Sequence, residues 1–309
     1  MECLTNKLYN NSILIPFKIV ENKNYYGCAY DDKNNIINES LRITYNCLFK
    51  NISPKKNSIL PKNYIHENSI FIGHITNNYG HFLLETLSRF WIFLSDKIKN
   101  LNVKNIIFIK WIDNDEDYIL FNKLKNINFF NLKNYKIIIV SNPTKFDNLY
   151  IPQNLCYINN KILPQQQLIY KHISSKLPCS KLYKFVYITR HNGSKRIENE
   201  KSVIKLFQSN NFYIHNATSN SFINDIKIYK NCKVLAGIEG SNLHNVVFMP
   251  KNSYLINICS NRTVTQNQIN CNYINNIKCF YIPLSENSKG KTLDLKFLNY
   301  NLKYLLNLI

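Results

Sequence analysis

Apolar positions along this chain of 309 residues come in short blocks, separated by turns rich in Asn, Lys and Asp. Compact runs of Ile, Val, Phe and Tyr predict strands, and apolar spacings of three and four predict helices. Short β-type runs occupy 13–19 and 25–30. Ser69–Ile75 has the pattern of a buried strand and feeds a loop, then a helix over 80–97. Strands at 105–112 and 135–140 flank an acidic helical stretch ending at Lys125, and Ser141-Asn-Pro143 closes the third strand. A helix over 165–177 leads into the linker Leu177-Pro-Cys-Ser-Lys181. Strands at 185–189, 212–215, 233–236 and 253–258 then alternate with helices at 198–208, 221–231 and from Ser241. The leucine-rich tail 292–309 has helical spacing and is predicted to pack back onto the body. Such alternation predicts βαβ units on mostly parallel sheets, in two α/β domains at 1–177 and 178–285 with a C-terminal helix over 286–309. Two doubly wound halves imply a cleft, with ligands outside the carboxyl ends of the strands.

Composition changes this picture little. Hydrophobic content of 45% excludes wholesale disorder. A net charge of +20 suggests nucleic acid at first sight. The cations, however, are nearly all lysines scattered singly, so they read as a solvated basic surface that favours anionic ligands. The nine cysteines include no C-x-x-C pair, which argues against a zinc site or redox dithiol and for a reducing compartment. Neither a signal peptide nor a membrane-spanning run is evident, so the expectation is a cytoplasmic protein, with an anionic membrane as a peripheral contact.

Glycine is scarce, and five of the seven gather in three segments at predicted strand ends. The first is Gly73-His-Ile-Thr-Asn-Asn-Tyr-Gly-His-Phe-Leu-Leu-Glu85, where a helix would put His81, Glu85, Ser88 and Arg89 on one face. Glu85 and Arg89 read as an ordinary i, i+4 ion pair, and His81 as a general base for a hydroxyl. In the second, Tyr187–Glu200 by number, Arg190 ends a strand and suits bidentate diphosphate recognition. Arg196 fits either that role or a pairing with Glu200. The third, Gly237-Ile-Glu-Gly-Ser-Asn-Leu-His-Asn245, follows a strand and opens a helix whose first amides can hold an anion. It is neither G-x-G-x-x-G nor a nucleophile elbow, and no Walker A motif is present.

Together these segments resemble glycosyltransferase family 61, particularly its bacterial polysaccharide-type members. The resemblance rests on Asn78-Tyr-Gly-His-Phe-Leu-Leu-Glu85, on Arg190 with Arg196, Asn199 and Glu200, and on the turn from Gly237 to Asn245. Many members carry Gly-Pro-His-Gly-Ala in that turn, where this chain has Gly-Ile-Glu-Gly-Ser. The resemblance implies a GT-B-like architecture of two Rossmann-like domains, the N-terminal one on the acceptor side. It also implies inverting transfer from a nucleotide sugar, usually UDP-linked, to a hydroxyl of a glycan or glycoconjugate, with no metal and no further cofactor. Arg190, Arg196, Gly240, Ser241, Asn242, Leu243 and Asn245 would hold the donor, and Asn78, Tyr79 and Glu85 would face the acceptor. His81 would be the base, with Glu239 as its alternative.

Three rival readings stand beside this one. Asp113, Asp115 and Asp117 follow an apolar strand and could hold a divalent cation in a GT-A-type transferase. A basic nucleic-acid-binding protein would use Tyr and Phe as stacking groups. A catalytically silent nucleotide-sugar binder would hold UDP without turnover.

Overall fold

The computed structural model describes residues 4–16, 18–20, 23–25, 27–42, 60–110, 119–126, 128–178, 183–189, 197–217, 222–260, 264–287 and 290–309. The chain divides into two compact α/β units, Met1–Ile169 and Tyr170–Ile309.

The first unit is built on a mixed sheet. Its strands are β1 (Asn6–Leu14), β2 (Lys18–Val20), β3 (Lys23–Tyr25), β4 (Ala29–Tyr30), β5 (Asn63–Ile65) and β6 (Ser69–Ile75). Helices α1 (Tyr79–Leu84) and α2 (Lys97–Asn100) lead to β7 (Asn105–Lys110), α3 (Ile119–Asn126), β8 (Lys136–Val140) and β9 (Thr144–Pro152). A small hairpin of β10 (Cys156–Tyr157) and β11 (Lys161–Ile162) precedes α4 (Gln167–Ser175). The main sheet runs β4-β1-β9-β6-β7-β8, with β5 also on β9. β9, β6, β7 and β8 are parallel, whereas β1 runs antiparallel to both β9 and β4. All seven residues of β6 are buried, as its unbroken apolar run requires. The sheet is therefore less uniformly parallel than the sequence pattern suggests, because β9 brings the N-terminal strand in beside it.

The predicted helix over 80–97 is not continuous. α1 gives way to a 3-10 helix over Thr86–Leu94, followed by α2. Nine residues is long for a 3-10 run, and tertiary packing sustains it: Leu87, Phe90 and Ile92 are fully buried, and Trp91 Nε1 donates to Gln153 O at 2.9 Å.

In the second unit β12 (Phe185–Ile188), α5 (Glu200–Ser209), β13 (Tyr213–His215), α6 (Phe222–Tyr229), β14 (Val234–Ile238), β15 (Tyr254–Ser260), α7 (Gln266–Ile274), β16 (Lys278–Asn287), β17 (Gly290–Thr292) and α8 (Leu295–Asn307) follow in order. The sheet order is β13-β12-β14-β15-β16-β17, parallel except for β17. Counted within the unit, the parallel strands lie 2-1-3-4-5, so the winding reverses between β12 and β14. One face packs on α5 and α8 through Tyr187, Ala236, Ile256, Phe207, Leu298 and Leu302. Among the described residues no helix is long and apolar enough to cross a membrane.

Candidate functional site

In the first unit the chemistry gathers where β6 ends. Thr76 Oγ1 accepts the Asn78 N–H at 3.0 Å, and Asn78 caps α1, with a long 3.5 Å contact to the His81 N–H. Asn78 is exposed and Tyr79 half-buried, at the first turn. One helical turn puts His81 Nδ1 at 2.5 Å from Glu85 Oε2. Arg42 grips the same carboxylate from the other side, Nε to Oε1 at 2.6 Å and Nη2 to Oε2 at 2.9 Å. The His81 side chain is 29% exposed, while those of Glu85 and Arg42 are 13% and 7% exposed. A half-open imidazole is thus backed by a largely buried, bidentate carboxylate–guanidinium pair. Burial pushes the Glu85 carboxyl up, but the His81 hydrogen bond and the Arg42 charge outweigh it, so its pKa lies below the ordinary value. With Nδ1–H donated to this carboxylate, Nε2 becomes the basic nitrogen of His81.

Burial, helped by the nearby Arg42 charge, lowers the neighbouring His74 to about 3, so it stays neutral at physiological pH. Arg89 corrects the sequence expectation. It does not pair with Glu85 but is buried, donating to Pro152 O at 3.0 Å, Ile72 O at 3.4 Å and Glu39 O at 2.6 Å. The reason is geometric. The helix tightens to 3-10 after Glu85, and at three residues per turn positions 85 and 89 no longer share a face. Gly73, at φ +117°, makes room for this guanidinium: a Cβ there would sit 2.8 Å from Arg89 Nη1.

In the second unit the glycine turn leaves β14. The Glu239 N–H extends the ladder to Ile258 O at 2.8 Å, and Glu239 itself is buried. Gly240 precedes a 3-10 helix over Ser241–Phe248. The Leu243 N–H donates to Gly240 O at 2.9 Å and its side chain fills the core, so the amides before the first intrahelical bond are those of Ser241 and Asn242. Asn245 is buried, and its side chain ties back to Asn242 O at 2.8 Å.

Helix α7, invisible to sequence periodicity, holds this turn from behind. Gln268 meets His244 Nδ1 at 2.9 Å and Leu243 O at 3.2 Å, and Asn275 donates to Val246 O and Met249 O, each at 2.7 Å. Beside the turn, Ile188, Gly237, Asn257 and Tyr281 lie in register across four strands. Asn257 is fully buried, and among the described residues neither polar atom of its side chain has a partner. A Cβ on Gly237 would come within 3.0 Å of Leu243 Cδ2, so glycine lets the turn close onto the sheet.

Because β12 and β14 are adjacent and parallel, Thr189 and Glu239 leave the sheet from neighbouring carboxyl ends, at the point where the winding reverses. That is the ligand crevice of open α/β sheets. Next to it lies a pair the sequence reading missed: His215 Nε2 to Asp225 Oδ1 at 2.7 Å, both buried. His215 O also accepts from Thr189 N at 2.9 Å. A histidine ending an apolar strand is the signal that could have marked it. Asn199, at the start of α5, exchanges bonds with Leu293 at 2.7 and 3.1 Å. Arg190, Arg196, Asp113, Asp115 and Asp117 lie outside the described residues. Among the described residues, no group of three His, Cys, Asp or Glu is placed to hold a metal ion.

A family model described as Glycosyltransferase 61 matches residues 79–256, from the first residue of α1 to the middle of β15. No curated protein matches the chain.

Proposed function

The chain belongs to glycosyltransferase family 61 and is a glycosyltransferase, and from that premise we propose inverting, metal-independent transfer from a UDP-sugar to an acceptor hydroxyl. The observation that carries the reading is the adjacency of β12 and β14. Their carboxyl ends open the two segments suited to a diphosphate, one led by Arg190 and one by Gly240. On this reading the Arg190 guanidinium and the Ser241 and Asn242 amides neutralise the departing diphosphate, the largest electrostatic demand of the reaction. Arg196 is assigned to the same donor, and Leu243 and Asn245 shape the Gly240 turn. The unpartnered Asn257 amide beneath it is costly unless a ligand or water meets it.

In a GT-B-like division of labour the first unit supplies the base. His81 Nε2 takes the acceptor proton while the acceptor oxygen bonds to the anomeric carbon. The bond from that carbon to the diphosphate breaks, and its electron pair leaves with UDP. Glu85 steadies the imidazolium that forms, as the carboxylate does in a triad, and Asn78 and Tyr79 flank the acceptor. Glu239 is the alternative base.

A thermal-shift screen over UDP, GDP, CMP and their sugars tests the donor assignment. UDP is expected to raise Tm, and Arg190→Ala to abolish the shift; no shift with any nucleotide would sink it. His81→Ala should keep the UDP shift and lose roughly 10²–10⁴ in kcat. Full activity in EDTA is expected, and metal dependence would favour the Asp113, Asp115 and Asp117 reading.

A further inference from the structure

Helix α8 buries one face and leaves an unusual one open. Leu298, Leu302 and Leu305 sit in the core of the second unit. On an adjoining, outward side Phe297 is 45% exposed, Tyr300 74%, Tyr304 58% and Leu308 54%. At about 100° per residue these four fall within roughly 80° of arc, a continuous stripe about 16 Å long. Lys296 and Lys303, both exposed, border one edge of it. Helix α5 shares this layer of the fold and adds exposed Lys201 and Lys205. The nearby acids stand at helix starts: Glu198 precedes α5, and the Asp294 side chain is bound to the Lys296 and Phe297 amides as an N-cap.

We propose that this face of α8 docks on an anionic lipid bilayer, the aromatic stripe entering the headgroup layer and the lysines meeting lipid phosphates. Three features select that occupant. Tyrosine favours the interface between water and hydrocarbon, where its apolar ring and polar tip are both accommodated, and phenylalanine and leucine supply the apolar face that enters beside it. Lysines along the edge of an apolar stripe are the arrangement of helices that lie in the plane of a membrane. The chain as a whole, at +20, is drawn towards a negative surface. A second copy fits the face poorly, since self-pairing would set lysines against lysines. The proposal is independent of the transfer reading, and its test uses no nucleotide or acceptor.

Flotation of the full chain is measured with phosphatidylcholine vesicles, with and without phosphatidylglycerol. Binding is expected only with the anionic vesicles, and it should weaken as NaCl is raised. Lys296→Glu with Lys303→Glu should lower the partition coefficient by at least roughly tenfold. The triple change Phe297→Ser, Tyr300→Ser, Tyr304→Ser should abolish binding. In case the triple variant fails to fold, Tyr300→Trp provides a second readout. The indole emission it adds should shift to the blue on anionic vesicles and be quenched by brominated lipid. The proposal is overturned if the wild-type chain does not float. It is equally overturned if a triple variant with native melting floats as well as wild type, or if vesicles leave the emission of the Tyr300→Trp variant unmoved. Self-association that the triple change removes, or retention on RNA, without vesicle binding would reassign the face to a second copy or to nucleic acid.

Discussion

Asparagine takes over a role that glycine usually fills. Among the described residues, all nine non-glycine positions with positive φ are Asn, including Asn128 at 58° and Asn211 at 62°. Its short amide tolerates the left-handed region better than other L-residues. Asn211→Ala should therefore cost about 1 kcal/mol, measured by urea unfolding. Gly73 has no such substitute. Gly73→Ala meets both a left-handed φ and the Arg89 guanidinium, and a loss of roughly 2 kcal/mol or more is expected. A melting temperature equal to wild type would contradict the tight fit.

Two neighbouring ionisable groups contribute to the response to acid. His74 titrates at about 3 when folded against 6.5 ordinarily, so between those values the unfolded chain binds the extra proton. Stability must fall as pH drops from about 6.5. Glu85, held below its ordinary value, contributes stability at neutral pH that is lost as pH falls through its folded pKa. His74→Gln should flatten the decline of Tm between about pH 6.5 and 4.5; an unchanged profile would remove His74 from that account.

Elements here are shaped by what they bury. Helix α7 lacks an apolar stripe because its inward positions include Gln268, Cys271 and Asn272, and that polar face hydrogen-bonds the strand-to-helix turn. Asn275→Ala would remove two hydrogen bonds to buried carbonyls, of which Val246 O keeps the Met249 N–H at 3.1 Å, and should cost about 1–3 kcal/mol. Asn257→Leu gives a contrast, since it removes no hydrogen bond among the described residues. It should leave Tm unchanged or raise it, yet shrink the UDP shift if the amide serves the donor. A clear loss of stability in Asn257→Leu would show that its side chain is already satisfied in the folded protein.

For the whole molecule, the excess lysines are dispersed along the chain, whereas the candidate site residues stand at carboxyl ends of parallel strands, β6 in the first unit and β12 with β14 in the second. Hydrogen exchange with and without UDP is the global check. Protection should concentrate at the carboxyl ends of β12 and β14 and in the Gly240 turn. Protection confined to the first unit would place the donor elsewhere.

Much of the order of strands and helices was legible because periodicity is local, although β9, α7, β16 and β17 were not read from it. Ser69–Ile75 is a strand in both readings, and three segments with glycine, histidine or arginine marked the strand ends in advance. What sequence left dark is non-local. Strand β9 pairs across more than a hundred residues with β1, and its Asp147 and Asn148 interrupt the apolar pattern that would have announced it. Arg42 reaches Glu85 from 43 residues away, and no spacing rule predicts that a guanidinium will claim the carboxylate first. The 3-10 tightening after Glu85 sends Arg89 inward for the same reason. Sequence sets which faces are apolar, but only packing chooses which polar groups meet inside, because a buried charge takes whichever partner the assembled fold brings within reach.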